Sequence, residues 1–200
     1  MEPLPNWVTP VLQGTAYWLG MQEIMGERRS LSEGAITLTL RDLMRRHLEK
    51  NLSIDTEVMY RNIPEYQNDN LIKDSRTRSD IIIYQPSKKY KEDVFSFGQV
   101  KSVIEVKHHR SSSRLIQEDI DFLGARRSHE KSIRTFMIYT SMCMRPDLFT
   151  NESGAAISGT QFSDNKTKYS VRRVCRAVQK IPRNNSQAHG HYAVLIEIGA

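Results

Sequence analysis

The chain has 200 residues, 38% of them hydrophobic and 26% charged. That is enough apolar material for one packed core with a few tens of residues left for arms or insertions, and it excludes wholesale disorder. Lysine and arginine number 29 against 23 acidic residues, a formal net charge of +6, which favours a polyanion such as nucleic acid or anionic lipid as partner.

Cys143 and Cys175 are the only cysteines. A disulfide scaffold is therefore excluded, and a zinc site would need help from histidines. The segment Met1-Glu2-Pro3-Leu4-Pro5 lacks the basic start and apolar run of a secretory signal. No apolar stretch approaches the ~20 residues of a membrane span. The expectation is a soluble, cytoplasmic protein in a reducing compartment, with no membrane partner. No fixed-period repeat is visible.

In chain order, Pro3, Pro5 and Pro10 predict an extended arm over 1–11, anchored by Trp7. Tyr17, Trp18, Met21, Ile24 and Met25 follow helical spacing, which predicts a short helix over 12–25. Ser30-Leu31-Ser32-Glu33 has the form of a capping box with Ser30 as cap. Ile36, Leu40, Leu43, Met44 and Leu48 extend it into a helix over 31–49, which Thr37 and Thr39 weaken.

A strand is expected over 55–64, a polar turn region over 65–78 and a buried strand at Ser79-Asp80-Ile81-Ile82-Ile83-Tyr84. Residues 85–99 read as a loop or exposed hairpin insertion. From Val100 to His109 the chain alternates, with Glu105, Lys107 and His109 on one face and Ile104 and Val106 on the other. Ser111-Ser112-Ser113 then caps a helix over 113–128, whose core face is Leu115, Ile116, Ile120, Leu123 and Gly124. A strand at 134–141 and a loop of about twenty residues follow. Val171, Val174, Cys175, Val178 and Ile181 predict a basic helix over 168–181, and a strand at 192–198 closes the chain. The fold class is α/β (α+β), a central mixed sheet flanked by helices. Residues 1–29 form the arm and short helix, and 30–200 a single domain.

The chemistry gathers at Asp80, which opens an apolar strand, and at Glu105 and Lys107 on the next strand. A hard cation such as Mg²⁺ takes a few carboxylate oxygens and leaves its other positions to water and phosphate. Asp80 and Glu105 can supply two carboxylates, and the Val106 carbonyl a third oxygen. Lys107 can orient the attacking water, help deprotonate it or offset charge on the phosphate. Mn²⁺ accepts the same ligands.

The set resembles the PD-(D/E)XK nuclease superfamily, the restriction-endonuclease-like fold. Ser79-Asp80 matches the first half-motif and Glu105-Val106-Lys107 the second. The element order from about 31 to 141 fits that family's αβββαβ core, a little over half the chain. The resemblance implies metal ligation by Asp80 and Glu105 and catalysis by Lys107. It implies an assisting role for Glu33 on the first core helix, and for Gln117 on the helix after the motif, where Glu118 or Asp119 could serve instead. Ser79 stands where the family usually has proline. The implied activity is phosphodiester hydrolysis, as a DNA endonuclease, with an RNA nuclease as an open alternative and a homodimer as a leaning. The alternative is a non-catalytic nucleic-acid-binding or assembly module on the same fold.

Basic residues complete the expectation. Arg172, Arg176 and Lys180 recur at helical spacing as a stripe for a phosphate backbone. Arg110 and Arg114 flank the exit of the motif strand. Lys88, Lys89 and Tyr90 in the insertion combine charge with a stacking surface. Arg126 and Arg127 serve either phosphate or the end of their own helix. His189 and His191 read as a surface turn before the last strand.

Overall fold

Pro10 does not prevent a helix here. α1 (Val8–Ile24) begins four residues before the expected start, with Pro10 at its third position. First-turn N–H groups have no intrahelical acceptor, so proline is tolerated there. The computed structural model describes residues 2–26, 31–66, 77–87, 98–180 and 188–199.

α2 (Glu33–His47) is capped by Ser32, whose hydroxyl accepts from the Ala35 N–H at 3.2 Å. The expected cap, Ser30, lies outside the described residues. With Ser32 as cap, Glu33 becomes the first helical residue. Its carboxylate benefits from the positive helix end and is available for longer-range contacts. β1 (Ser53–Met59) is shorter than expected, because the chain turns through two 3-10 segments, Tyr60–Asn62 and Pro64–Tyr66. β2 (Arg78–Gln85) and β3 (Gln99–His108) form an antiparallel hairpin. α3 (Ser113–His129) is capped by Ser112 and connects β3 to the parallel strand β4 (Arg134–Ser141). A short strand, β5 (Thr160–Phe162), falls in the expected long loop. β6 (Lys168–Lys180) and β7 (Ala188–Ile198) finish the chain.

The described strands form one seven-stranded mixed sheet in the order β1-β2-β3-β4-β7-β6-β5. The fold class is thus α+β, as expected. The order from α2 to β4 is helix, three strands, helix, strand. α1 and α2 cover one face through Val11, Leu12, Ile36 and Leu40, packed on Ile81, Ile104, Val106 and Leu195. α3 covers the other through Ile116, Ile120 and Leu123, packed on Met137, Val194 and Ile196. Full burial of each such side chain contributes about 1.5–3 kcal/mol. Leu115, expected in the core, is 53% exposed.

The expected basic helix over 168–181 is instead the strand β6. The reason is a bulge between Val171 and Arg173. The extra residue shifts the side-chain parity, so Val171 and Val174, three apart, pack against the same cluster. Cys175 and Ala177 join the opposite face. A bulged strand therefore reproduces helical spacing over one turn. β7 also starts earlier than expected, and it takes fully buried His191 into the sheet in place of a surface turn. Among the described residues, no helix is long and apolar enough to cross a membrane.

Candidate active site

Strand register brings the two half-motifs together. β2 and β3 pair Ile81 with Ile104 and Ile82 with Val103, so the same register sets Asp80 opposite Glu105. On the other side β1 pairs Thr56 with Ile81 and Val58 with Ser79, which sets Glu57 opposite Asp80. Glu57 has a left-handed φ of 57° and is unpaired in that ladder. Asp80 Oδ2 accepts a 2.6 Å hydrogen bond from the Val106 N–H. In extended backbone a residue's N–H and C=O face the same neighbour, so the Val106 carbonyl also faces the β2 side. Ser79, just before Asp80, is fully buried, and its hydroxyl donates to the Ile81 carbonyl at 3.0 Å.

Lys107 is the hub. Its Nζ lies 3.1 Å from Glu105 Oε1, 3.2 Å from Glu33 Oε1 and 3.2 Å from Asp119 Oδ2. Three elements therefore converge: the start of α2, the end of β3 and the second turn of α3. Lys107 and Glu105 side chains are each 14% exposed, so neither charge is well hydrated.

Burial pushes the Glu105 carboxyl up to about 8, and the Asp80 charge pushes the same way. Burial likewise raises Asp80 to about 6, against the lowering effects of the Val106 N–H and Lys107. Burial raises Asp119 as well. At Lys107 burial favours the neutral amine, but Glu105, Asp119 and Glu33 outweigh it and hold the ammonium well above its ordinary range. In this arrangement Lys107 is a fixed cation. It can position water and neutralise phosphate charge, and it is a poor base.

A cleft of ≈ 230 Å³ opens beside Glu105, lined by Thr77, Arg78, Glu118, Asp119 and Phe122. Two carboxylates withdrawn from solvent, the Asp80 charge raising the Glu105 pKa, with a backbone carbonyl directed to the same side, form an oxygen donor set suited to a hard divalent cation. A larger cleft, ≈ 290 Å³, opens at the far end of β3 between Trp7, Lys101 and Arg134, and none of Asp80, Glu105 or Lys107 lines it.

Gln117 does not join the hub. It lies beside Tyr169 on β6, whereas Asp119, two residues on, meets Lys107. Arg78 on the cleft wall escaped the sequence reading, although it directly precedes Ser79-Asp80. Arg110 is exposed just beyond β3, and its N–H donates to His108 Nδ1 at 2.9 Å. Arg114 is exposed and pairs with Glu118 at 2.8 Å, on the rim of the cleft. Arg172 does not belong to a free stripe. It pairs with Glu197 and donates to the Glu2 carbonyl at 2.7 Å. Arg176 stands over the Tyr192 ring, 5.6 Å from its centroid, on the opposite face of the sheet from Arg172. Lys88, Lys89 and Tyr90 lie outside the described residues, as does the side chain of Lys180. Arg126 is buried over Phe122, and Arg127 donates to the Ile133 carbonyl at 2.7 Å, so both serve α3 and the turn beyond it.

Compared with protein-family models, curated proteins and solved structures, the chain matches none.

Proposed function

We propose that the protein is a divalent-metal-dependent nuclease of the PD-(D/E)XK, restriction-endonuclease-like kind. One observation carries the reading. Asp80, Glu105 and Lys107 meet at one end of adjacent strands, in a helix–three strands–helix–strand order, with Asp80 hydrogen-bonded to the backbone between the other two.

In this reading Asp80, Glu105 and the Val106 carbonyl hold Mg²⁺ or Mn²⁺, which supplies Lewis-acid polarisation of a phosphate oxygen. Lys107 orients the attacking water and offsets charge on the phosphate. Glu33 and Asp119 hold the Lys107 ammonium in place. Arg78, Arg110 and Arg114 border the cleft or the strand exit and offer phosphate contacts. The substrate is DNA by the family resemblance.

The test is cleavage of a panel holding supercoiled and linear duplex, single-stranded and branched DNA, and RNA. Each is incubated with Mg²⁺, Mn²⁺ or EDTA, with wild-type, Asp80→Ala and Lys107→Ala proteins. Metal-dependent cutting of DNA that both substitutions abolish is the expected result. Salt-sensitive binding without cutting, unchanged by either substitution, would replace the reading with a non-catalytic binding module.

A further inference from the structure

A second cluster of ligand-type side chains shares no residue with the acidic site. His191 lies on β7, between β4 and β6, and is fully buried. Its Nε2 is 2.9 Å from Glu23 Oε2, and the Glu23 side chain is 1% exposed. Cys143, in the chain leaving β4, brings its Sγ to the same place. One donor atom from each of the three residues lies within 4.8 Å of the other two.

Glu23 is a demanding residue at this point. It sits in the last turn of α1, at the negative end of the helix, in a turn without a basic residue. A carboxylate buried there needs a compensating positive charge. A protonated His191 alone would provide one, whereas a neutral thiol brings no charge to the pair. Cys143 is nevertheless brought within reach of both, and it does so with a left-handed φ of 62°, a conformation costing about 1 kcal/mol outside glycine. Sulfur, imidazole nitrogen and carboxylate oxygen together are the donors that a divalent ion of borderline softness takes.

We propose that Glu23, Cys143 and His191 form a transition-metal site of the Zn²⁺ class, joining the end of α1 to β7 and to the chain leaving β4. On binding, the Cys143 thiol and the His191 imidazolium each give up a proton to solvent, and the ligands are then thiolate, neutral imidazole and carboxylate. Metal–ligand bonds of about 2.0–2.3 Å set tetrahedral donors about 3.5 Å from one another, so the 2.9 Å Glu23–His191 contact opens slightly on loading. Cys143 is half-buried and is the most exposed of the three ligands. Mg²⁺ prefers oxygen ligands and does not compete.

The experiment is a titration of the chelator-stripped full chain with Co²⁺, read by absorption. The expected result is one thiolate-bound ion per chain, with a thiolate-to-cobalt charge-transfer band and the strong visible bands of tetrahedral cobalt. Zn²⁺ bleaches both, and excess Mg²⁺ leaves them. Cys143→Ser removes the charge-transfer band, and Cys175→Ser retains it. Glu23→Gln, which keeps the thiol and the side-chain shape, weakens binding. Asp80→Asn keeps the full thiolate band, which separates this site from the nuclease reading. A wild-type protein that develops no thiolate band overturns the proposal before any variant is made. A band that survives Cys143→Ser, in protein with wild-type circular dichroism, also overturns it.

Discussion

The carboxylate of Asp80 is tied to the backbone of Val106 by a 2.6 Å hydrogen bond, so each half of the motif fixes the other. This bond separates structural from electrostatic roles. Asp80→Asn keeps an acceptor for the Val106 N–H and loses the charge. Asp80→Ala loses both and leaves a buried donor unpaired, at about 1–3 kcal/mol. Asp80→Asn is therefore expected to retain near wild-type urea stability while losing metal-dependent cleavage. Asp80→Ala is expected to lose both. Equal destabilisation by the two substitutions would contradict this division.

The removal of Lys107 leaves Glu33, Glu105 and Asp119 facing one another without their shared cation. Breaking a buried ion pair from one side costs about 3 kcal/mol. Lys107→Ala should show a loss of that order in urea unfolding. Above about pH 8, where Glu105 is ionised, adding Glu105→Gln should recover part of it, because the uncompensated charge is then gone. Strict additivity of the two substitutions would show that the contacts are not coupled.

The pH dependence follows from the same carboxylates. An unfolded chain releases carboxyl protons near pH 4. Burial holds Asp80 to about 6 and Glu105 to about 8 in the folded protein. Between those limits the native state binds more protons than the unfolded chain, so stability falls as pH rises. Lys107 stays charged throughout this range and adds no slope. In chelator, the urea midpoint should decline from about pH 5 to about pH 8. Glu105→Gln should flatten much of that decline, and excess Mg²⁺ should raise the midpoint most at the alkaline end. An identical slope in wild type and Glu105→Gln would remove Glu105 as its source.

The parts of this architecture that repeat with a fixed period were legible in the sequence. Alternation over β3 set Glu105 and Lys107 on one face, and the β-branched run marked β2. Both depend only on local side-chain direction. β6 was not legible, because the bulge at Arg172 gives a strand the spacing of a helix. Choosing Asp119 over Gln117 required the rotation of α3 against the sheet, which tertiary packing sets. Glu23, Cys143 and His191 come from three distant segments, and no spacing rule unites them. The strand at His191 has the local composition of a turn, because glycine and polar residues outweigh a buried histidine in any local count.

The basic residues divide into two classes with opposite expected behaviour. Arg172 is enclosed beside Glu197, with side chains 8% and 9% exposed, and Arg134 reaches the same carboxylate at 2.8 Å. Arg172→Ala should therefore cost stability, about 3 kcal/mol, because it strips a partner from a buried charge network. Its effect on nucleic-acid affinity, measured on the folded fraction, should be small. Arg110 and Arg114 are exposed on the side of the cleft or the strand exit. Their alanine variants should keep wild-type stability, weaken binding across sequences and each lower the salt slope of binding by about 1. Fluorescence anisotropy against a duplex over a salt series, beside urea unfolding of each variant, measures both quantities. If Arg172→Ala lowered the salt slope as much as Arg114→Ala, phosphate would have to reach β6, and the nucleic-acid surface would extend across the sheet to its far edge.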